Sequence, residues 1–525
     1  MRKHVDASTD KVLEMEFRLK TTEKRAKKSR AVIVGGGITG VAALIGLIEH
    51  RAVSEIFIID PGTIGIGRAF ATTEAELLCN TTVEMMSIIS HDKEDFVKYL
   101  RARGFRTTKN DFVPRFYVSQ YARDRYQQFV EQAQILGITH QHLLRIATAV
   151  IKCIDGSYRV IMNDGNELSA TDVLLCHGYG SPLIPEVIKP HMDKPLVFST
   201  PYPEQAMLNA IPPGSRILII GTRLSAIDAT LMLCSHGHRV VMTSRTGELP
   251  SVRTRTPRSL TSCIDERKFS TLDIASPAFA SRLLRIIGKA VTAIRNRPLS
   301  KQVDRSSDTV ARLRAEIELA ADDRIDWQDV LVNFLDLGNT TLSQRTRAER
   351  DEALAKSWSI VSRYLFALPL SSAQKLMKYI DDTRLQIIAG APIKVDRDDS
   401  WIAIWDGGRE EHFDVVVCAT GFHKPRFHAE SNILQLVIDH TRQCVEPCVS
   451  SDLKVTLPNS SDPERIWTLG VASYLGAPLV NAVYQATQHA EAVARQISAC
   501  NHLPGDESDG SFPLSQSRKH TDETL

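Results

Sequence analysis

Ala31-Val32-Ile33-Val34-Gly35-Gly36-Gly37-Ile38-Thr39-Gly40 sets a β-branched apolar run against a glycine-rich turn. The stretch fits G-x-G-x-x-G between a strand and a helix, the context in which that spacing carries chemical meaning. Gly35 permits the tight turn, Gly37 lets the backbone approach a pyrophosphate, and Gly40 lets helix and strand pack closely. A helix predicted over 41–50 starts here, so free N–H groups and the positive end of its dipole face the phosphates. Asp60 lies 20 residues past Gly40 at the end of the next strand, where a carboxylate accepts hydrogen bonds from ribose hydroxyls. Its charge would repel a 2′-phosphate, which suits FAD or NAD better than NADP. The basic run 24–30 ahead of the apolar run 31–48 copies the outline of a signal peptide or short membrane anchor. The glycines, Thr39 and the second apolar run ending on Asp60 fit strand, turn, helix and strand instead.

Composition bounds the rest. A chain of 525 residues has room for about three domains. With 43% hydrophobic and 24% charged residues it is globular and not disordered throughout. A net charge of +2 supplies no global field for nucleic acid or an anionic membrane. Nine cysteines scattered along a long chain do not form a disulfide framework, which points to a reducing, cytoplasmic location. Histidines at zinc-ligand spacing are missing, so no metal is expected, and His236 and His238 read as helix-end or surface residues. Cys444 and Cys448 read as two unrelated thiols in a loop. Trp358, Tyr364 and Phe366 read as core. Oligomeric state is not legible.

Short apolar runs alternate with helical stretches, the pattern of an α/β protein. Strands are predicted at 31–34, 56–60, 172–176, 216–220, 240–243 and 415–418. The rhythm breaks over 255–380, which is Arg-rich and helical in period, for example over 306–319 and 351–365. Residues 1–29 read as a flexible extension and 501–525 as a disordered tail.

A second glycine turn follows the strand at 217–220: Gly221-Thr222-Arg223-Leu224-Ser225-Ala226. The middle glycine of G-x-G-x-x-A is replaced by Arg223, whose side chain either blocks a pyrophosphate or contributes a guanidinium to it. The next strand ends at Ser244-Arg245 with no carboxylate, which is what selection of a 2′-phosphate requires. NADP(H) is therefore the better ligand here, unless the site has decayed. Asp172-Val173-Leu174-Leu175-Cys176-His177-Gly178 and Asp414-Val415-Val416-Val417-Cys418-Ala419-Thr420-Gly421 are near copies that bracket this turn. They are expected where one nucleotide domain is inserted into another, the chain leaving by the first strand and returning by the second. Each glycine would let the backbone bend beside a cofactor.

This order of motifs resembles the flavoproteins with two dinucleotide-binding domains. Within that group it is most similar to the bacterial FAD-NAD(P)-binding protein family, relatives of the N-hydroxylating and flavin-containing monooxygenases. Gly65-Ile66-Gly67-Arg68-Ala69-Phe70, Leu78-Cys79-Asn80 with Met86-Ser87, and Val113-Pro114-Arg115 with Tyr121 match its further segments. Arg223, His177 in place of a usual Thr, and the absence of a Gly-Asp pair near Gly470 depart from it. The resemblance implies a Rossmann-like FAD domain over 30–195 and 413–500. It also implies an NAD(P)-binding-like domain over 196–254 and 381–412, and a helical insertion over 255–380. It implies FAD reduced by NADPH and reacting with molecular oxygen and a small-molecule substrate, without nucleic acid or membrane. The expected activity is a monooxygenase, with N-hydroxylation as its finer reading. A flavin dehydrogenase or oxidase, and a FAD-binding protein with a decayed NADPH site, are the alternatives. No catalytic side chain is expected, because the cofactor carries the chemistry. The expected cofactor contacts are Gly35, Gly37, Gly40, Asp60 and, by resemblance, Gly67, Asn80, Arg115, Gly421 and Gly470 for FAD. Those for the nicotinamide dinucleotide are Gly221, Arg223, Ser225, Ser244 and Arg245.

Overall fold

The structure, a computed structural model, describes residues 29–258, 263–437, 443–480 and 482–501. The extension read at the N-terminus as far as residue 28, the tail from 502 and Asn481 lie outside the described residues.

The first parallel sheet has the strand order Ile466–Thr468, Asp172–Leu175, Arg30–Val34, Glu55–Ile59, Thr139–Leu143. Period-two alternation along Arg30–Val34 decides its two faces. Ala31 and Ile33 pack on the helices Ile38–Glu49, Phe116–Ile135 and Val483–Asn501. Val32 and Val34 pack on an antiparallel sheet that includes Ala147–Lys152 and Tyr158–Met162. With both faces covered, the strand is apolar at every interior position, as parallel sheets require. Each such fully buried side chain contributes roughly 1.5–3 kcal/mol.

The second parallel sheet repeats the plan, in the order Leu385–Ala389, Arg239–Ser244, Arg216–Ile220, Val415–Cys418, Val197–Phe198. Ile217 and Ile219 face helices, while Leu218 and Ile220 face the three-stranded sheet Lys394–Arg397, Trp401–Ile404, Glu410–Phe413. This corrects one expectation. The strand at 415–418 does not return the chain to the first unit, so 413 does not mark that return. Val415 stands opposite Ile217 and Cys418 opposite Ile220, in the second sheet. Strand 415–418 closes the second sheet as Asp172–Leu175 closes the first, so the two near-identical strands are equivalent members of duplicated units. The chain re-enters the first unit with the hairpin Arg426–Glu430 and Ile433–Val437, which extends its antiparallel sheet. It rejoins the first parallel sheet at Ile466–Thr468.

The two crossings between units run side by side. Gly180 N–H donates to His423 O at 2.8 Å, His423 N–H to Ser181 O at 2.9 Å, and Leu183 N–H to Gly421 O at 2.9 Å. Between Arg239–Ser244 and the edge strand Leu385–Ala389 the chain forms a helical layer, Phe279–Arg295, Thr309–Ala321, Leu331–Ser343, Arg347–Leu365 and Leu370–Asp381, with the short helix Glu266–Ser270. Its helices start where side chains satisfy their free N–H groups. The helix predicted from 306 begins at Thr309, capped by Asp308, and that predicted from 351 begins at Arg347, where Thr346 and Glu349 form a capping box. Met85, Val332 and Tyr484 cluster to seat this layer on the first unit. Among the described residues no helix is long and apolar enough to cross a membrane.

Candidate dinucleotide-binding sites

The first glycine turn joins Arg30–Val34 to the helix Ile38–Glu49, and its glycines serve different ends. A Cβ at Gly35, where φ is +104°, would lie 2.9 Å from Cys176 O. A Cβ at Gly40 would lie 2.0 Å from Gly35 O. Packing alone dictates both. At Gly37 the nearest atom to a Cβ is Gly67 Cα at 3.5 Å, ordinary contact, and φ is −70°. Nothing in the protein requires glycine there. The helix it opens has no acidic residue in its first turn and no side-chain cap.

Other expected residues converge on the same turn. Asp60 accepts hydrogen bonds from Gly36 N–H and Gly62 N–H, both at 2.7 Å, which leaves carboxylate lone pairs for a ribose. A cleft of ≈390 Å³ opens beside it, lined by Gly62, Thr63, Ile64, Arg123, Tyr126 and His142 among others. Gly67, with φ at +57°, packs against Gly37. Gly470 starts the short helix Gly470–Leu475 against Thr39, whose Oγ1 would be 2.6 Å from a Cβ there. His177 follows the closing strand beside Gly35. Burial pushes its imidazole down to about 4, so it is neutral near pH 7, and its Nδ1 has no hydrogen-bond partner.

The second turn superimposes on this design in its bonding. Gly221 N–H donates to Thr243 O at 2.7 Å as Gly35 N–H does to Ile59 O at 2.9 Å. A Cβ at Gly221 would lie 2.3 Å from Ala419 O, as at Gly35 one meets Cys176 O. Arg223 occupies the place of Gly37 with φ at −96°, extended backbone that any residue adopts. Its guanidinium is half-buried, and Nη1 is buried with no hydrogen-bond partner. Burial, opposed by Glu248 and assisted by Arg363, lowers its pKa. A buried unpaired donor on a cation is costly without an anion to meet it. Ser225 lies in the first turn of the helix Leu224–Ser235. Ser244 Oγ sits 2.8 Å from Thr222 Oγ1 and accepts from Gly247 N–H at 3.0 Å, while Arg245 is exposed at the strand end.

Three residues lie elsewhere. Gly421 is at the crossing, its carbonyl bonded to Leu183. Asn80 and Arg115 flank an antiparallel bridge between Leu78 and Pro114, in which Cys79 N–H donates to Val113 O at 2.8 Å and Arg115 N–H to Leu77 O at 2.9 Å. Arg115 is turned to the second unit, where its Nη2 lies 2.6 Å from Asp228 Oδ2 and its Nε donates to Leu78 O at 3.1 Å. Tyr202 OH donates to the same Asp228 oxygen at 2.6 Å. Burial opposes the Arg115 charge, but Asp228 and Tyr202 outweigh it and raise its pKa. Asp228 was missed. Its signal was a single carboxylate in the apolar run Ile227-Asp228-Ala229-Thr230-Leu231, where a buried charge must have a partner.

His236 caps the helix Leu224–Ser235, its Nδ1 2.9 Å from Met232 O, but His238 is buried and not a surface residue. All nine cysteines are free, Cys448 in a short strand and not a loop.

Residues 32–180 match the model of a family described as FAD-NAD(P)-binding. The matched segment holds the glycine turn, the acid and the closing strand just described, and it ends where the chain crosses to the second unit. In solved structures the fold recurs over almost the whole chain. An ornithine hydroxylase from Pseudomonas aeruginosa in its reduced form has a TM-score of 0.56 at 16% identity, over 90% of this chain and 99% of that one. A cadaverine monooxygenase of desferrioxamine biosynthesis from Erwinia amylovora, bound to FAD, has a TM-score of 0.55 at 12% identity, over 93% and 99%. An L-lysine 6-monooxygenase from Pseudomonas syringae has a TM-score of 0.51 at 14% identity, over 90% and 99%. No curated protein matches the chain in sequence.

Proposed function

We propose that the chain is a FAD-dependent oxidoreductase that draws electrons from NADPH and acts as a monooxygenase on a small molecule. The observation that carries this reading is the pairing of two unlike turns in duplicated units. One keeps a side-chain-free Gly37 and an acid at the ribose position; the other replaces them with Arg223 and Ser244-Arg245. The first suits the diphosphate and ribose of FAD, the second a dinucleotide with a 2′-phosphate. Bound FAD would accept two electrons from NADPH and deliver them to oxygen, one atom of which enters the substrate while the other leaves as water. The chain's own work is binding and orientation. The N–H groups opening the helix Ile38–Glu49 hold the pyrophosphate, Asp60 the ribose, and the Gly470 turn approaches the same cradle. Arg223 supplies a positive charge to NADPH, and the buried Arg115–Asp228 pair fixes one unit against the other. The shared fold with three hydroxylases of amines or amino acids supports the oxygenase reading, and nine free thiols fit a cytoplasmic location.

Anaerobic titration of the FAD-loaded chain tests it. NADPH bleaches the flavin spectrum, and NADH does so at concentrations at least about tenfold higher. Arg223→Gly weakens NADPH binding by about 10–100-fold, the worth of a charge-assisted hydrogen bond. Tighter NADPH binding by this variant would make Arg223 an obstruction and the second site a relic.

A further inference from the structure

The crossings at 179–183 and 421–424 carry the chain between the units. They are joined by three backbone hydrogen bonds and by an antiparallel bridge between Pro182 and Phe422. Gly421 opens the second crossing with φ at +95°, and a Cβ there would meet nothing within 4 Å. Backbone conformation, not crowding, calls for glycine, as at a hinge that absorbs a change of chain direction. Two short strands paired only with each other are marginally stable by themselves. What stiffens this pair comes from outside it.

Arg68 supplies the brace. It stands in the short helix Gly67–Phe70, next to the glycine that packs against Gly37 of the first glycine turn. Its Nη1 donates to Gly180 O at 2.6 Å and to Tyr179 O at 3.3 Å, both in the first crossing. Its guanidinium lies 5.5 Å from the ring centre of Phe422, in the second crossing. One side chain therefore holds both crossings from the loop beside the first turn. Arg68 is exposed, and among the described residues no carboxylate pairs with it. Two carbonyl bonds and an aromatic face are what orient it. The contacts continue into the second unit. Phe422 stacks on Tyr202 with ring centres 6.5 Å apart and planes at 27°, and Tyr202 OH donates to Asp228 at 2.6 Å. Asp228 stands one turn into the helix Leu224–Ser235, which begins at the second glycine turn. An unbroken run of contacts thus joins Gly37 to the helix behind Arg223, through Gly67, Arg68, Phe422, Tyr202 and Asp228.

We propose that Arg68 is a positioning residue. By tying the loop that packs on the first glycine turn to both crossings, it fixes the angle at which the second unit presents NADPH to bound FAD. The assignment rests on the flavin reading above. Hydride transfer needs the two rings in near contact, and a misplacement of about 1 Å costs up to about 100-fold in rate. Loss of the brace changes the angle between the units more than it changes either cradle. The expected deficit is therefore in the rate of transfer and not in affinity.

The test is anaerobic stopped-flow reduction of the FAD-loaded full chain over a range of NADPH concentrations. Arg68→Ala lowers the limiting rate of flavin reduction by about 5–20-fold, while FAD content and NADPH affinity stay within about twofold of the parent. Arg68→Lys, which keeps a charge over Phe422 and a donor for Gly180 O, restores the rate to within about threefold. Phe422→Leu also slows reduction, and the double variant is at most about twofold slower than Arg68→Ala, because both changes break one path. Hydrogen exchange adds a readout that needs no cofactor. In Arg68→Ala the amides of Leu183 and His423, which bond across the crossings, exchange at least about fivefold faster, and those of Arg30–Val34 are unchanged. A limiting rate within about twofold of the parent, a fall matched by lost FAD or NADPH affinity, or unchanged exchange at Leu183 and His423 overturns the proposal. Multiplying effects of the Arg68 and Phe422 changes, or a lysine variant as slow as the alanine one, overturn it too. A parent chain that takes up no FAD sinks the flavin reading instead, and hydrogen exchange still decides whether Arg68 braces the crossings.

Discussion

Asp228→Ala destabilises the protein by about 3–5 kcal/mol, seen as a lowered urea midpoint. The carboxylate and the Arg115 guanidinium are both buried, with side chains 9% and 15% exposed, and Tyr202 adds a third group to the same oxygen. Removing the acid leaves a guanidinium in a dry interface with one backbone carbonyl and a phenol for company. The penalty is that stranded charge, not the lost attraction. Arg115→Met combined with Asp228→Leu removes both charges and recovers most of the stability, since a buried pair replaced by apolar groups of similar size is often neutral. If the single and double variants are equally unstable, packing and not charge explains the loss. Because Arg115 belongs to the first unit and Asp228 to the second, the single variant also slows reduction of bound FAD by NADPH more than it weakens FAD binding.

The second large effect separates two glycines three residues apart. Gly40→Ala puts a Cβ where Gly35 O stands 2.0 Å away, backbone that cannot move without displacing the turn. It costs about 3 kcal/mol and abolishes FAD uptake. Gly37→Ala meets only Gly67 Cα at 3.5 Å and keeps a φ that alanine adopts freely. It melts within a few degrees of the parent yet binds FAD at least about tenfold more weakly, because its methyl intrudes on the ligand alone. Thermal melts and flavin content measured side by side check both. A Gly37→Ala protein with full flavin would show that the turn is structural only.

Local signals carried the fold far. The glycine turns, their β-branched strands and Asp60 were legible because each answers to short-range rules of spacing and period. The role of the strand at 415–418 was not, since its resemblance to 172–176 fits either a returning strand or a duplicated one. Only pairing with Ile217–Ile220 separates these, and pairing across some two hundred residues leaves no local trace. Arg115 shows the same limit at the site: the Pro-Arg segment was visible, its partner on another unit was not.

The most direct measurement is the uptake of FAD by the purified full chain, followed by equilibrium dialysis against the free cofactor. About one FAD per chain is expected for the parent and no more than about half of that for Gly37→Ala at the free concentration that just saturates the parent. A parent chain that retains no FAD, or a Gly37→Ala chain that retains as much, contradicts the account.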